Sequence, residues 1–199
     1  MPCWKDSERD PGRDSLAAAL LLLAALWLGF APKTAFAQGK ISVEYVSSRL
    51  VDQTYRVDAK FQFKFDKEIL AALKSGVELN IDILTRIKRQ RKWLWDPTVA
   101  EGLFRFTLKH FPLTDEYVVD DITNGQHHEF RSYSAALDYL GNINNQALVD
   151  KSEISRDATY IGYIRARVNI ETLPTPLQPT AYISEKWRLK SSWYKWVIK

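Results

Sequence analysis

Five of the seven residues from 86 to 92 are cationic: Arg86, Lys88, Arg89, Arg91 and Lys92. Two tryptophans, Trp93 and Trp95, follow at once. Cations beside large aromatics attract anionic groups and present rings that enter a lipid interface or stack on a bound molecule. The chemistry expected of this run is docking on anionic lipid or on an acidic polymer of the cell envelope. A solvated sheet edge is the competing reading, because Lys and Arg there discourage edge-to-edge pairing. A second candidate interaction surface joins Arg165 and Arg167 to Leu173, Pro174 and Pro176 of a proline-rich segment and to Trp193 and Trp196 near the C-terminus. Two residues apart, the arginines share one strand face and are expected to meet Glu153, Asp157 or an anionic ligand. Trp187, Trp193 and Trp196 suit a sugar-stacking or peptide-binding platform, and they suit the core of a small sandwich better.

Reaction chemistry has fewer candidates. The sequence holds no G-x-S-x-G elbow, no H-E-x-x-H pair, no phosphate loop and no G-x-G-x-x-G turn. Of the three histidines, His127 and His128 are neighbours near a hairpin turn and so point to opposite faces, which prevents them from ligating one metal together. One of them with Asp120 or Asp121 is the remaining metal option, set against an exposed polar hairpin. His110 reads as a polar strand residue. Cys3 is the only cysteine, so neither an intramolecular disulfide nor an all-cysteine metal site can form. No catalytic, metal-ligating or cofactor-binding residue is assigned, and no cofactor is expected.

The elements that must position these groups alternate with period two. Tyr55 to Phe65, Val77 to Ile87, Leu103 to Phe111 and Thr159 to Ile170 each set apolar against polar residues, which predicts strands with one buried face. The phase after Ile87 continues to Trp95, so a long strand with a bulge around 86–92 is expected, closed by Asp96-Pro97. Tyr117 to Ile122 and Gln126 to Phe130 flank Asn124-Gly125 as a hairpin with two positive-φ turn positions. Asp66 caps a short helix that ends at Ser75-Gly76, and Ser132 to Leu140 makes a second one before Gly141. Residues 142–156 show little pattern and read as a loop. Trp187 to Ile198 is expected to be a last strand. About seven strands and two short connecting helices predict an all-β, antiparallel sandwich-like domain, with a two-layer α+β sheet as the alternative.

Apolar residues make up 46% of the 199 and charged residues 26%, which excludes a disordered or collagen-like chain. Only residues 16–31 form a long uncharged apolar run, and at sixteen residues it is short for a spanning helix. Ala35-Phe36-Ala37 follows as a small-residue cleavage pattern, so residues 1–37 are expected to be a signal peptide and 38–199 one β-rich domain. The segment before the run carries four acidic residues (Asp6, Glu8, Asp10, Asp14) against three basic ones (Lys5, Arg9, Arg13), which departs from a signal peptide and keeps an uncleaved inner-membrane anchor open. The expected location is the periplasm. The 162 residues from Gln38 carry a net charge of +4, too weak to point to nucleic acid.

In combination, Arg91 to Asp96, Tyr117, Leu140-Gly141, Tyr163 with Arg165 and Arg167, Leu173 to Leu177, Trp187 to Leu189 and Ser192 to Trp196 resemble the bacterial family called domain of unknown function 4390. The resemblance spans Ile41 to Ile198. It implies an exported or envelope-associated protein of a Gram-negative bacterium, in a family without an assigned activity. It also implies a gene neighbourhood with a membrane sensor kinase of the nitrogen-regulation type. The functional expectation is a non-enzymatic periplasmic binding domain. The alternatives are an accessory domain that contacts such a kinase through residues 173–179 or the Trp-rich tail, and an unrecognised hydrolase built on His110 or His127. Oligomeric state is left open.

Overall fold

Strand β1 (Lys40–Val51) turns back as β2 (Thr54–Lys64) through Asp52 and Gln53 alone, both with positive φ (47° and 65°). This is the backbone of a tight hairpin turn that matches strand twist, made here without glycine. The computed structural model describes residues 39–155 and 157–198. The expected leader, with Ala35 and Ala37, lies outside the described residues. In β2 Val57, Ala59, Phe61 and Phe63 are buried and Lys60, Gln62 and Lys64 exposed, as a half-buried strand requires.

Helix α1 (Lys67–Lys74) follows because the Asp66 carboxylate accepts the Glu68 N–H at 3.1 Å and Gly76, at φ 86°, ends the run. Its Ile69 and Leu73, one turn apart, are fully buried. The chain continues through β3 (Leu79–Arg89), β4 (Thr98–Phe111), β5 (Glu116–Asp121) and β6 (Gln126–Phe130) to α2 (Tyr133–Gly141), capped by Ser132. Then come β7 (Asn142–Asp150), β8 (Tyr160–Val168), α3 (Gln178–Ile183) and β9 (Tyr194–Val197).

The strands form two antiparallel sheets, one ordered β1-β2-β7 and the other β6-β5-β4-β3-β8-β9. This is the all-β sandwich-like domain that the alternation predicts. The core draws on Phe61 and Phe63 of the small sheet and on Ile81, Ile83, Phe104, Phe106, Ile164 and Ala166 of the large one. A fully buried Ile of this kind contributes about 1.5–3 kcal/mol by leaving water.

Several boundaries differ from the sequence reading. Nine strands and three α-helices are present among the described residues, against about seven and two. The added helix, α3, starts inside the proline-rich segment, with Pro179 in its first turn. Residues 142–150 form β7 and not a loop. Asn145 adopts φ 55° and the β2–β7 register slips, so the buried positions fall at Ile143, Gln146 and Val149 and period two is lost. Strand β3 ends at Arg89, short of Trp95, although the bulge is there, between Ile87 and Lys88 in the pairing with β4. The β5–β6 loop has four residues, and only Gly125 takes positive φ (67°). The last strand covers 194–197 alone, preceded by a single bridge between Arg167 and Lys190.

Candidate functional site

Strand β3 sends Ile81, Ile83 and Ile87 into the core, so Asp82, Arg86 and Lys88 stand on the outer face of the six-stranded sheet. Register brings the neighbours. Arg86 lies opposite Glu101 of β4 on one side and Tyr163 of β8 on the other, and Tyr163 lies opposite Lys195 of β9. Asp82 lies between Arg105 and Arg167. It has no exposed surface, and its carboxylate accepts Arg105 Nε at 2.8 Å, Arg167 Nη2 at 3.1 Å and Asn169 Nδ2 at 3.0 Å. The hydrogen bond and charge of Asp82 push the Arg105 guanidinium above its ordinary pKa. A buried carboxylate held by three donors is a structural node, satisfied by its own chain.

Above this node two aromatic rings carry cations. The guanidinium groups of Arg165 and Arg86 lie 4.5 and 5.2 Å from the Trp193 ring centroid, and the Lys88 and Lys195 ammonium groups 5.6 and 5.5 Å from that of Tyr163. Each such contact is worth about 0.5–1 kcal/mol at an exposed site. Arg86 also donates Nε to Glu101 at 2.8 Å. Arg165 has no carboxylate partner among the described residues, and burial, then Arg167 and Arg86, push its pKa down.

The second part of the surface is the β3–β4 loop. Its base is tied by two backbone–backbone hydrogen bonds, Arg89 N–H to Pro97 O (3.1 Å) and Gln90 N–H to Thr159 O (2.8 Å), and by Arg91 N–H to the Asp96 carboxylate (2.8 Å). Above that base Trp93, Leu94 and Trp95 are 94%, 63% and 89% exposed. Arg89, Arg91 and Lys92 border a groove whose one acidic lining residue is Asp157. None of these three cations forms an ion pair among the described residues.

The sequence from residue 38 to residue 197 matches the family model described as "Domain of unknown function (DUF4390)". The chain belongs to this family. No curated protein and no solved structure matches it. In this DUF4390 domain the run from Arg86 to Trp95 is thus split between two places. Arg86 and Lys88 join the sheet face, whereas Arg89, Arg91, Lys92, Trp93 and Trp95 belong to the loop. Of the expected second surface, Arg165, Arg167 and Trp193 meet on the sheet face and Leu173 and Trp196 do not join them. Leu173 and Trp196 are buried, at 3% and 8% exposure, and Trp196 covers Gly162, where a Cβ would meet its ring at 2.4 Å. The Trp196 indole donates to Ser48 at 3.1 Å, and that of Trp187 to Glu68 at 2.9 Å, so both rings serve packing. Pro174 and Pro176 are exposed, in the segment between β8 and α3. Arg167 meets Asp82, not Glu153 or Asp157, and Arg165 meets Trp193. The sequence reading missed Asp82, Glu101, Arg105, Tyr163 and Lys195 as members of the face, since only strand register puts them there.

The histidines of the DUF4390 domain sit apart from this surface. His110 is buried, with Nδ1 3.2 Å from the Lys74 carbonyl, Nε2 2.9 Å from Asp115 and its ring against Tyr117. His128 stacks on Tyr139. His127 is exposed and bonds Asp120 at 2.6 Å. That bond, then Glu129, raises the His127 pKa. Burial alone would raise Asp120, but hydrogen bonds from His127 and Lys109 outweigh it and hold the carboxyl below its ordinary value.

Proposed function

We propose that this DUF4390 domain is a non-enzymatic interaction module that docks on anionic lipid headgroups through its β3–β4 loop. The observation that carries the reading is the exposure of Trp93, Leu94 and Trp95 above Arg89, Arg91 and Lys92. Three consecutive apolar side chains held out in water have no role in the fold. At a bilayer surface the rings enter the interfacial zone while the cations meet phosphate, the arrangement of interfacial anchors generally. An acidic polymer would engage the cations but would leave Leu94 without a partner, so lipid is preferred. The apolar run and Ala-x-Ala pattern at residues 16–37 support an extracytoplasmic location facing the membrane. Among the described residues no helix is long and apolar enough to cross a membrane, so contact by the folded domain would be peripheral.

The test is co-sedimentation of the protein, as cells process it, with phosphatidylglycerol-containing and pure phosphatidylcholine vesicles. Burying half of each indole surface is worth about 2 kcal/mol, so Trp93→Ser with Trp95→Ser should weaken binding to anionic vesicles by at least about 30-fold. Thermal stability should stay within about 0.5 kcal/mol of the parent, because neither ring packs. Equal binding by parent and variant would refute the loop as the anchor.

A further inference from the structure

The sheet face is a different kind of surface from the loop. Its rings, Trp193 and Tyr163, are half-buried and overlaid by cations, unlike the freely exposed rings of the loop. Arg165 is the arginine of this face that meets no carboxylate among the described residues, and its buried Nε has no hydrogen-bond partner there. Its Cζ lies 4.5 Å from the Trp193 ring centroid, and the terminal N–H groups of a guanidinium are the part that grips a carboxylate with two bonds. Lys195 of β9 lies opposite Tyr163 and Lys88 of β3 opposite Ile161, so Arg165, Lys195 and Lys88, which meet no carboxylate among the described residues, fall level with residues 165, 163 and 161 of β8, in steps of about 6.6 Å along the strand. An extended peptide with an acid at every second position repeats at that same distance. Leu103 of β4 and Val197 of β9, both half-exposed on this face, add the apolar contacts that accompany arginine and aromatics at protein interfaces.

We propose that the outer face of β3, β8 and β9 binds an acidic, extended segment of a partner protein, with one carboxylate held by Arg165 and the next two along the segment met by Lys195 and then Lys88. The bound carboxylate would relieve the crowding of Arg165 by Arg86 and Arg167. This site is independent of the lipid-docking loop.

Two fluorescent peptides of identical composition test it, one alternating Glu and Thr and one with its Glu residues grouped in a block. The alternating peptide should bind more tightly. Arg165→Gln should weaken it by about tenfold or more, and Arg165→Lys, which keeps the charge without the fork, should recover part of that loss. Binding to phosphatidylglycerol vesicles should not change. Because Arg165 also packs on Trp193, Lys195→Gln on the exposed edge strand provides a second variant, expected to cost about threefold. Equal binding of the two peptides, or full binding by both Arg165→Gln and Lys195→Gln, would overturn the proposal. So would loss of vesicle binding in place of peptide binding, which would make the face part of the lipid site.

Discussion

The loop and the sheet face contain the same ingredients, arginine, lysine and tryptophan, in opposite states. On the face, Trp193 lies beneath two guanidiniums, Arg86 is paired with Glu101, and Arg105 and Arg167 converge on a carboxylate that has no exposed surface. In the loop, Trp93 and Trp95 stand almost wholly in water and the neighbouring cations form no ion pair among the described residues. A cationic aromatic composition is therefore not itself a binding signal. What separates the two regions is how far the protein has already satisfied its own charges and rings. The face is largely answered from within, with Arg165, Lys88 and Lys195 meeting no carboxylate among the described residues, while the loop is answered only from outside.

This contrast breaks if charge removal acts alike in both regions. Arg89→Gln, Arg91→Gln and Lys92→Gln together should weaken anionic-vesicle binding by about a hundredfold, at about 1 kcal/mol per cation near the surface. Arg86→Gln with Lys88→Gln should cost less than about threefold in the same assay, since those two are engaged on the sheet. Comparable losses would merge the two surfaces. In stability the ranking reverses. Asp82→Ala strips the partner from Arg105 and Arg167 and should cost about 2–3 kcal/mol in denaturant unfolding, with vesicle binding of the folded protein unchanged. The loop triple variant should unfold as the parent does.

The smallest expected effect is a titration. His127 has its folded pKa raised by Asp120, so its contribution to stability is complete below the ordinary histidine pKa and fades as pH rises through the folded value. Asp120 has its folded pKa lowered, so its share is present above the ordinary carboxylate pKa and fades as pH falls through the folded value. The pair is strongest between those limits. By NMR, His127 should titrate above the ordinary value in the parent and return toward it in Asp120→Asn. An unchanged His127 midpoint would show that the pair does not form in solution.

The fold was legible where a strand has one wet face, as in Phe61-Gln62-Phe63-Lys64, and where caps are spelled out, as at Asp66 and Ser132. It was hidden where a bulge shifts the phase, as at Asn145 in β7, or where a turn takes positive φ without glycine, as at Asp52 and Gln53. The phase from Val77 to Trp95 misled for a related reason. Trp93 and Trp95 prolong the alternation, yet Asp96 and Pro97 fold the chain back and leave them outside the sheet. The loop half of the candidate site could be read directly, because its residues are consecutive. The face half could not, because Arg86, Arg165 and Trp193 meet only through the order β3-β8-β9, and strand order is a property of the packed core and not of local pattern.

The central claim, that the β3–β4 loop enters an anionic bilayer interface, is tested most directly by tryptophan fluorescence on phosphatidylglycerol vesicles that contain brominated lipid. Bromines attached high on the acyl chains should quench the protein strongly. With Trp4 and Trp27 changed to Phe in both proteins, most of that quenching should disappear in the Trp93→Phe, Trp95→Phe variant, because Trp187, Trp193 and Trp196 remain on the folded domain away from the bilayer. Equal quenching in parent and variant would contradict the account and show that some other part of the protein meets the lipid.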